Sequence, residues 1–403
     1  MEISFFKKVV NIKSYKTISL FLHSAIVLAI SYIITLCFVS STKSLTFFAV
    51  LEESDDIPMS DMYLYINSGK GPAKLDTKIT LVSIDSCKDR FEIAQLIQQI
   101  DSLQPEVIGL DVFFMNRKEP NTDTVLENVI RKSKNLVTAC ILDDEQREDK
   151  DKYNTCNRNF FAGQENGNFT EGFINLDSDG FSSIRTFTPK LFWQKKESLD
   201  TLYCFAAQIV RLYDETAFKK LLQRAGNLEI INFQPLRFYE IEKNEINDNP
   251  ELITGKIVLI GSLSEDLHKT PVNPQMQGME IHAQIISTIL EGKYINSLDN
   301  IWTKLINILF CYLFALFSWF VTARIEKGVV ILVKLAQVAI LLLAFFTGYY
   351  LFNHYNIDIA YARSIIVMSV VVLIVDIYHV VVTFGSKFIR QRKKINQYEK
   401  DNI

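Results

Sequence analysis

Four apolar runs, each long enough to cross a lipid bilayer, constrain this chain more than any other feature. Residues 18–39 (ISLFLHSAIVLAISYIITLCFV) carry no formal charge and supply about the 20 residues that a ~30 Å hydrocarbon core demands. Three more runs lie near the other end, at 305–321, 329–351 and 364–384. In lipid every backbone polar group has to be satisfied within its own segment, so each run is predicted to be a helix. The first is too long for the apolar region of a cleaved signal peptide and is read as a retained span. Two charges interrupt the pattern. Lys334 sits little more than one turn inside the third run and is able to snorkel, whereas Asp376 lies at mid-depth in the fourth.

The charges sort with the runs. Residues 1–40 and 301–403 hold 15 Lys and Arg against 6 Asp and Glu, while residues 41–300 hold 28 against 40. An acidic middle between basic, apolar ends excludes nucleic acid as a partner, since that needs a basic face. Lys7, Lys8, Lys13 and Lys16 precede the first run, Arg324 and Lys327 fill the tight loop after the second, and Lys387, Arg390, Arg392, Lys393 and Lys394 follow the fourth. All fall on one side of a membrane if residues 40–300 fall on the other, so the rule of positive charge inside predicts an outer domain. Residues 1–17 and the basic tail 385–403 are then cytoplasmic. Trp302, Tyr349, Tyr350 and Tyr361 fall at the outer boundary and Trp319 at the inner one, as an aromatic belt requires.

The outer domain reads as alternating strands and helices. Residues 78–84 (KITLVSI), 106–114 (EVIGLDVFF) and 136–142 are buried-type strands, and the apolar spacing at 93, 96, 97, 100 and 103 predicts a helix between the first two. A second helix is expected at 121–132, and strands alternating with helices imply parallel pairing. Residues 143–170 are read as a charged surface insertion. Strands are expected at 172–175, 183–188, 228–233 and 256–260 (KIVLI), with helices around 199–213 and 279–290. Cys37 and Cys311 lie within spans, and Cys87, Cys140, Cys156 and Cys204 in the outer domain leave three full disulfide pairings open; no spacing resembles a zinc site.

Several segments together resemble a known family. Residues 79–85 (ITLVSID), 108–113 (IGLDVF), 172–180 (GFINLDSDG) followed by Arg185, 255–261 (GKIVLIG), and Thr270-Pro271 leading to 278–283 (GMEIHA) are similar to the second class of CHASE domain, the extracellular sensory module associated with cyclases and histidine kinases. The likeness extends to the arrangement of one span before the domain and three after it. It implies a multi-pass receptor of the bacterial inner membrane whose sensor faces the periplasm or cell exterior, with an output domain after the last helix. Here 19 residues follow Phe384, too few for a catalytic domain. The expectation is therefore a sensor that is not itself an enzyme and passes its signal to a separate cytoplasmic or membrane partner, with a homodimer also compatible.

Candidate residues carry two readings each. Asp85 and Asp111 follow or end parallel strands, where open α/β sheets take ligands, although such residues more often cap helices or bind loop amides. Ser262, in a Gly-Ser-Leu-Ser loop, offers backbone amides to an anion but lacks a Walker or dinucleotide glycine pattern, and no cofactor is expected. Asn175, Asp177 and Asp179 imitate half a calcium loop whose twelfth position is Thr186 instead of Glu. A β-hairpin turning at Asp179-Gly180 is the preferred alternative, with Arg185 beyond it able to face a ligand. His282 lies on an apolar helix face, which usually marks a core histidine. In the membrane, His23, Asp376 and His379 are expected to form one polar layer that couples helices, against the alternative of Asp376 satisfied by Ser318 or Thr383. The reading that collects these is an external α/β sensor on four spans with an unknown external ligand. Its rivals are a transporter or channel accessory, disfavoured by the lack of repeats or broken helices, and a tethered hydrolase, for which no nucleophile elbow or metal cluster is seen.

Overall fold

The computed structural model describes residues 18–37, 59–133, 135–142, 152–153, 156–162, 170–176, 183–195, 198–224, 226, 228–298, 300–324 and 330–401. It divides into a unit of residues 60–296 and a second made of the two ends of the chain.

The first unit is built on a parallel sheet. Its strands are β1 (Lys74–Ser83), β2 (Val107–Leu110), β3 (Leu136–Leu142), β4 (Lys152–Tyr153), β5 (Cys156–Asn157), β6 (Thr170–Phe173), β7 (Thr186–Phe187), β8 (Lys190–Lys195), β9 (Ser198–Tyr203), β10 (Glu229–Ile230), β11 (Leu236–Ile241), β12 (Ile257–Gly261), β13 (Leu267–His268) and β14 (Met276–Gln277). The main sheet runs β11-β1-β12-β2-β3-β6, every neighbouring pair parallel, with β5 antiparallel at the end of β3. Val107–Leu110 and Ile257–Gly261 are buried along their whole length. Strands covered on both faces need such continuous apolar runs, which is why KIVLI and EVIGL are legible as strands.

With the first span counted as α1 (Ile18–Cys37), the domain's helices are α2 (Met59–Ser68), α3 (Arg90–Ser102), α4 (Pro120–Lys132), α5 (Phe205–Tyr213), α6 (Glu215–Leu222) and α7 (Gly278–Glu291). They split between the sheet's faces by the two-residue alternation of each strand. Val82, Ile108, Leu110, Val258 and Ile260 pack with Ile93, Leu96, Ile97 and Ile100 of α3 and with Leu126 and Ile130 of α4. On the other side, a Cβ on Gly109 would lie 2.6 Å from Ile209 Cδ1, and one on Gly172 would lie 2.6 Å from the Phe205 Cα. The glycines of IGLDVF and GFINL therefore let α5 lie directly on β2 and β6. Helix α3 starts at Asp89, whose side chain accepts from the Glu92 amide at 2.9 Å. It is stapled to α4 by Arg90, which donates to Asp123 at 2.5 Å and to the Asn116 carbonyl at 2.7 Å while lying over the rings of Phe114 and Phe160.

Four expectations change in this domain. Residues 198–203 form β9, an antiparallel partner of β8, so the helix expected around 199–213 begins only at Phe205. The expected hairpin across residues 172–188 is not formed: β6 joins β3 and β7 joins β10, in different sheets. The strand expected at 228–233 shrinks to Glu229–Ile230, and the insertion contributes β4 and β5, which are paired strands. A full two-disulfide pairing is also absent, since Cys87 and Cys204 carry free thiols.

The second unit contains four helices long and apolar enough to cross a membrane: α1, α8 (Ile301–Thr322), α9 (Val330–Tyr355) and α10 (Ala362–Asp401). Its core is made by Val27 of α1, Cys311, Phe314, Ala315 and Trp319 of α8, and Val367, Met368, Val371 and Val375 of α10. Helix α10 does not stop where the apolar run stops. It continues unbroken through the basic segment to Asp401, a length that hydropathy alone does not reveal.

Candidate functional site

The carboxyl ends of β1, β12 and β2 lie side by side at the centre of the sheet, and β12 is threaded between two strands that are consecutive along that part of the chain. Such an end is where an open α/β sheet leaves a crevice. Asp85, just past β1, is committed to structure. Its Oδ2 accepts from the Leu263 amide at 3.1 Å. Burial raises its pKa, but hydrogen bonds from the Ser262 hydroxyl, the Leu263 amide, Ser264 and Ser83 outweigh that and hold the carboxyl below its ordinary range. Ser262 turns the same way: its Oγ accepts from the amides of Ser264 at 3.3 Å and Glu265 at 3.1 Å. The amides expected to await an anion after KIVLI are thus taken by the chain's own oxygens.

Asp111 differs. Its backbone amide continues the sheet by donating to the Ile260 carbonyl at 2.8 Å, which leaves the side chain at the mouth of the sheet, partly exposed but enclosed by protein. Burial first, and the charge of Asp266 second, push its carboxyl up to about 7, with His268 offsetting them in part. Asp266 and His268 arrive on the β13–β14 hairpin, closed by Thr270, whose amide and hydroxyl both bond the Asn273 carbonyl. His268 Nε2 lies 2.7 Å from Asp266 Oδ1. That hydrogen bond raises the imidazole and lowers the carboxyl from their ordinary values.

His282 completes the group from α7. It is 4% exposed, packs edge-on against Phe205 at 5.2 Å, and leaves its buried Nδ1 without a hydrogen-bond partner. Burial drives its pKa down to about 4, against the pull of the Asp266 charge, so the ring is neutral at pH 7. The start of α7 is docked on the same group: the Gly278 amide donates to the Asp266 carbonyl at 2.8 Å, and a Cβ on Gly278 would collide with the Asp266 carboxylate. Asp111, Asp266, His268 and His282 together present a near-neutral carboxyl, a charge pair and an unsatisfied ring nitrogen. Among the described residues no group of three or more His, Cys, Asp or Glu has the geometry to hold a metal ion.

Asp111 and His282 each lie within electrostatic reach of Asp266 and His268, two residues which sequence reasoning missed. They lie in a polar loop that no periodicity marks; the one signal is their spacing ahead of GMEIHA. Arg185 is held elsewhere, 3.7 Å from Asp61 of α2. Asn175 is consumed by a two-way bond with the Leu142 backbone, at 2.8 and 3.1 Å, which takes it from the imagined calcium loop. Asp177 and Asp179 lie outside the described residues.

Of the three residues expected to share one layer between the membrane-type helices, two are neighbours and the third pairs elsewhere. His23 Nδ1 is 2.8 Å from the Tyr378 hydroxyl and its ring is 4.9 Å from that of Trp319, which in turn lies 5.8 Å from His379. Two of the three expected residues therefore meet around one indole. Asp376 pairs instead with Lys334 of α9 at 2.8 Å, and Lys334 also donates to the Val372 carbonyl. Lys334 does not snorkel. An ammonium one helix away is a better partner for a carboxylate in lipid than water several residues off. Neither hydroxyl considered for Asp376 serves it: Thr383 bonds the His379 carbonyl, and Ser318 is buried without a partner.

Comparison with curated proteins and with solved structures returns no match. The family model described as the CHASE2 domain matches residues 34–320, which takes in the whole parallel-sheet unit and most of α8. With more than half its length covered, and with a parallel sheet and four membrane-type helices among its described residues, the chain belongs to the CHASE2 family of extracellular sensory domains.

Proposed function

We propose that this protein is a multi-pass receptor of the bacterial inner membrane, with the sheet domain in the periplasm, both termini in the cytoplasm, and a small polar solute as its input. The family assignment supports sensing as the role. The observation that carries the site is the unsatisfied Nδ1 of His282, buried beside Asp111, Asp266 and His268 on the helix that leads along the chain to the membrane. A buried polar atom with no partner is a standing cost of about 1–3 kcal/mol that a hydrogen-bonding ligand group removes. Asp111, protonated for part of the time at neutral pH, supplies a donor and the Asp266–His268 pair an acceptor and a donor.

Binding at this group is coupled to α7 because the first amide of the helix, that of Gly278, bonds the Asp266 carbonyl. Whatever shifts Asp266 shifts the first turn of α7, and α8 follows ten residues after α7 ends. The signal is then passed to a separate output protein, and no catalytic step is assigned to this chain. The test uses full-length protein in lipid nanodiscs and a panel of polyols, amino acids and small carboxylic acids, read by thermal shift. At least one class is expected to stabilise the wild type and to lose its effect in both D111N and H282A. A solute whose effect survives both variants places the input elsewhere.

A further inference from the structure

Beyond the apolar run, α10 carries a pattern that the sensing role does not use. Positions 374, 377, 381, 384, 388, 391, 395 and 398 follow the alternating three-and-four spacing of a heptad's a and d positions, and they are Ile, Ile, Val, Phe, Phe, Gln, Ile and Tyr. The repeat starts within the apolar run and continues for two heptads past it, to Tyr398, where the intervening positions turn mostly polar or charged. A 3.5-residue period describes a seam against another helix in a left-handed pair, whereas a face turned to one's own globular core drifts at 3.6. Among the described residues Ile374 packs against the helix core, and most of the seam beyond it is open. Ile377 and Val381 are each 61% exposed, Phe384 72%, Phe388 64% and Ile395 57%. Past the membrane run, Ser386, Lys387, Arg390, Arg392, Lys393, Lys394, Asn396 and Gln397 occupy other positions of the repeat, with Ile389, 58% exposed, the one large apolar side chain off the seam.

We propose that α10 pairs in parallel, in register, with α10 of a second copy of this chain. Two copies inserted in one membrane share orientation and depth, so their seams leave the bilayer pointing the same way at the same level; a different helix would need a matching repeat at a matching depth. The charges agree at the far end. Lys394 holds a g position and Glu399 the following e position, which face each other across a parallel pair. Lys387 and Arg392 hold the preceding g and e positions with like charge, at the level where anionic lipid headgroups neutralise a basic cluster. The inference is independent of the ligand reading.

Single cysteines placed in the full-length protein and oxidised in membranes test it, with the parent chain as control. F388C and I395C, on the seam, are expected to join two copies, and R390C and K393C, at c and f positions, are not. K394E in the F388C background should lose the cross-link, and adding E399K should restore it. In mild detergent the wild type should show twice the chain mass of 46.4 kDa, and the double variant F388E/I395E the single mass. Equal cross-linking at all four positions, cross-links to a different protein, or a wild-type monomer overturns the proposal. Because Phe388, Arg390, Lys393, Lys394 and Ile395 are exposed, the sheet domain's thermal transition should be the same in their variants.

Discussion

The sheet domain and the membrane helices each staple two helices with an ion pair, and the two pairs are built differently. Arg90 and Asp123 are 9% and 0% exposed, and every direction around them is filled: the Asn116 carbonyl, the Lys118 amide and two aromatic faces. Hydrogen bonds from Arg90 and Lys118 outweigh the burial that raises Asp123, and hold its carboxyl below the ordinary range. Lys334 and Asp376 are 28% and 46% exposed and add one carbonyl, that of Val372. In a water-soluble core a buried charge is tolerated when hydrogen bonds surround it. In lipid the pair itself is most of what is available, so a single partner carries nearly the whole burden. Apolar residues diverge in the same way: Leu96, Ile97 and Leu259 are fully buried in the domain, whereas Leu343 and Leu373 of the spans are 68% and 67% exposed.

The comparison breaks most sharply at the domain's staple. R90A is expected to lower the domain's unfolding free energy by about 3–5 kcal/mol, the range for leaving one member of a buried pair uncompensated. An apolar double replacement, R90M with D123L, should recover much of that loss in thermal melts of the full-length protein. A double replacement as unstable as R90A would mean that the pair itself, and not the orphaned charge, holds α3 to α4.

At the membrane pair, K334L leaves Asp376 alone at depth and is expected to raise the insertion free energy of α10 by about 2.5–3.5 kcal/mol. The double variant K334L/D376N should return it to near the wild-type value in a translocon insertion assay. If D376N alone behaves like K334L, the carboxylate is not what Lys334 serves.

Packing gives the next effect. G172A places a methyl against the Phe205 backbone, which cannot swing away, and should lower domain stability by about 1–3 kcal/mol. G109A meets mostly the ends of Ile209, Leu259 and Phe205 side chains and should lower it less; the reverse order would mean that α5 moves more easily than those side chains.

The smallest effect is a slope. Asp111 has a folded pKa of about 7 against 3.8 for the free carboxyl, so the unfolded chain binds fewer protons between those values and stability falls as pH rises through that window. His282 works oppositely: its folded value of about 4 against 6.5 means that stability is lost as pH falls through that interval. D111N should therefore stabilise at pH 8 by about 1–2 kcal/mol, after discount for the residue's partial exposure, and not at pH 4. Equal gains at both pH values would assign the effect to packing.

The parts legible in advance share one property: the information is local. KITLVSI, EVIGL and KIVLI are runs that suit only a strand covered on both faces, and residues 93, 96, 97 and 100 mark one helical face. Residues 198–203 were misread because Leu199 and Leu202 continue the helical spacing of the residues after them, and only pairing with β8 distinguishes the two. Asp266 and His268 were invisible because nothing before the β13–β14 hairpin tells a loop carboxylate that it will meet a strand end 155 residues earlier. Lys334 and Asp376 each stand out in the sequence, but their encounter depends on the rotation of two helices, which hydropathy does not encode.

The order of strands has a consequence for how this domain comes into being. Strands β1 and β2 are never direct neighbours; β12, ending at residue 261, fills the place between them. Until that segment is delivered, the chain owns two half-sheets, β11-β1 and β2-β3-β6, whose inner edges bear unpaired amides and carbonyls. The central strand is the last of the main sheet to be synthesised, and its pairings are long-range, which makes closure slow. A chain interrupted before residue 257 would lack the one strand that joins the two halves of the sheet.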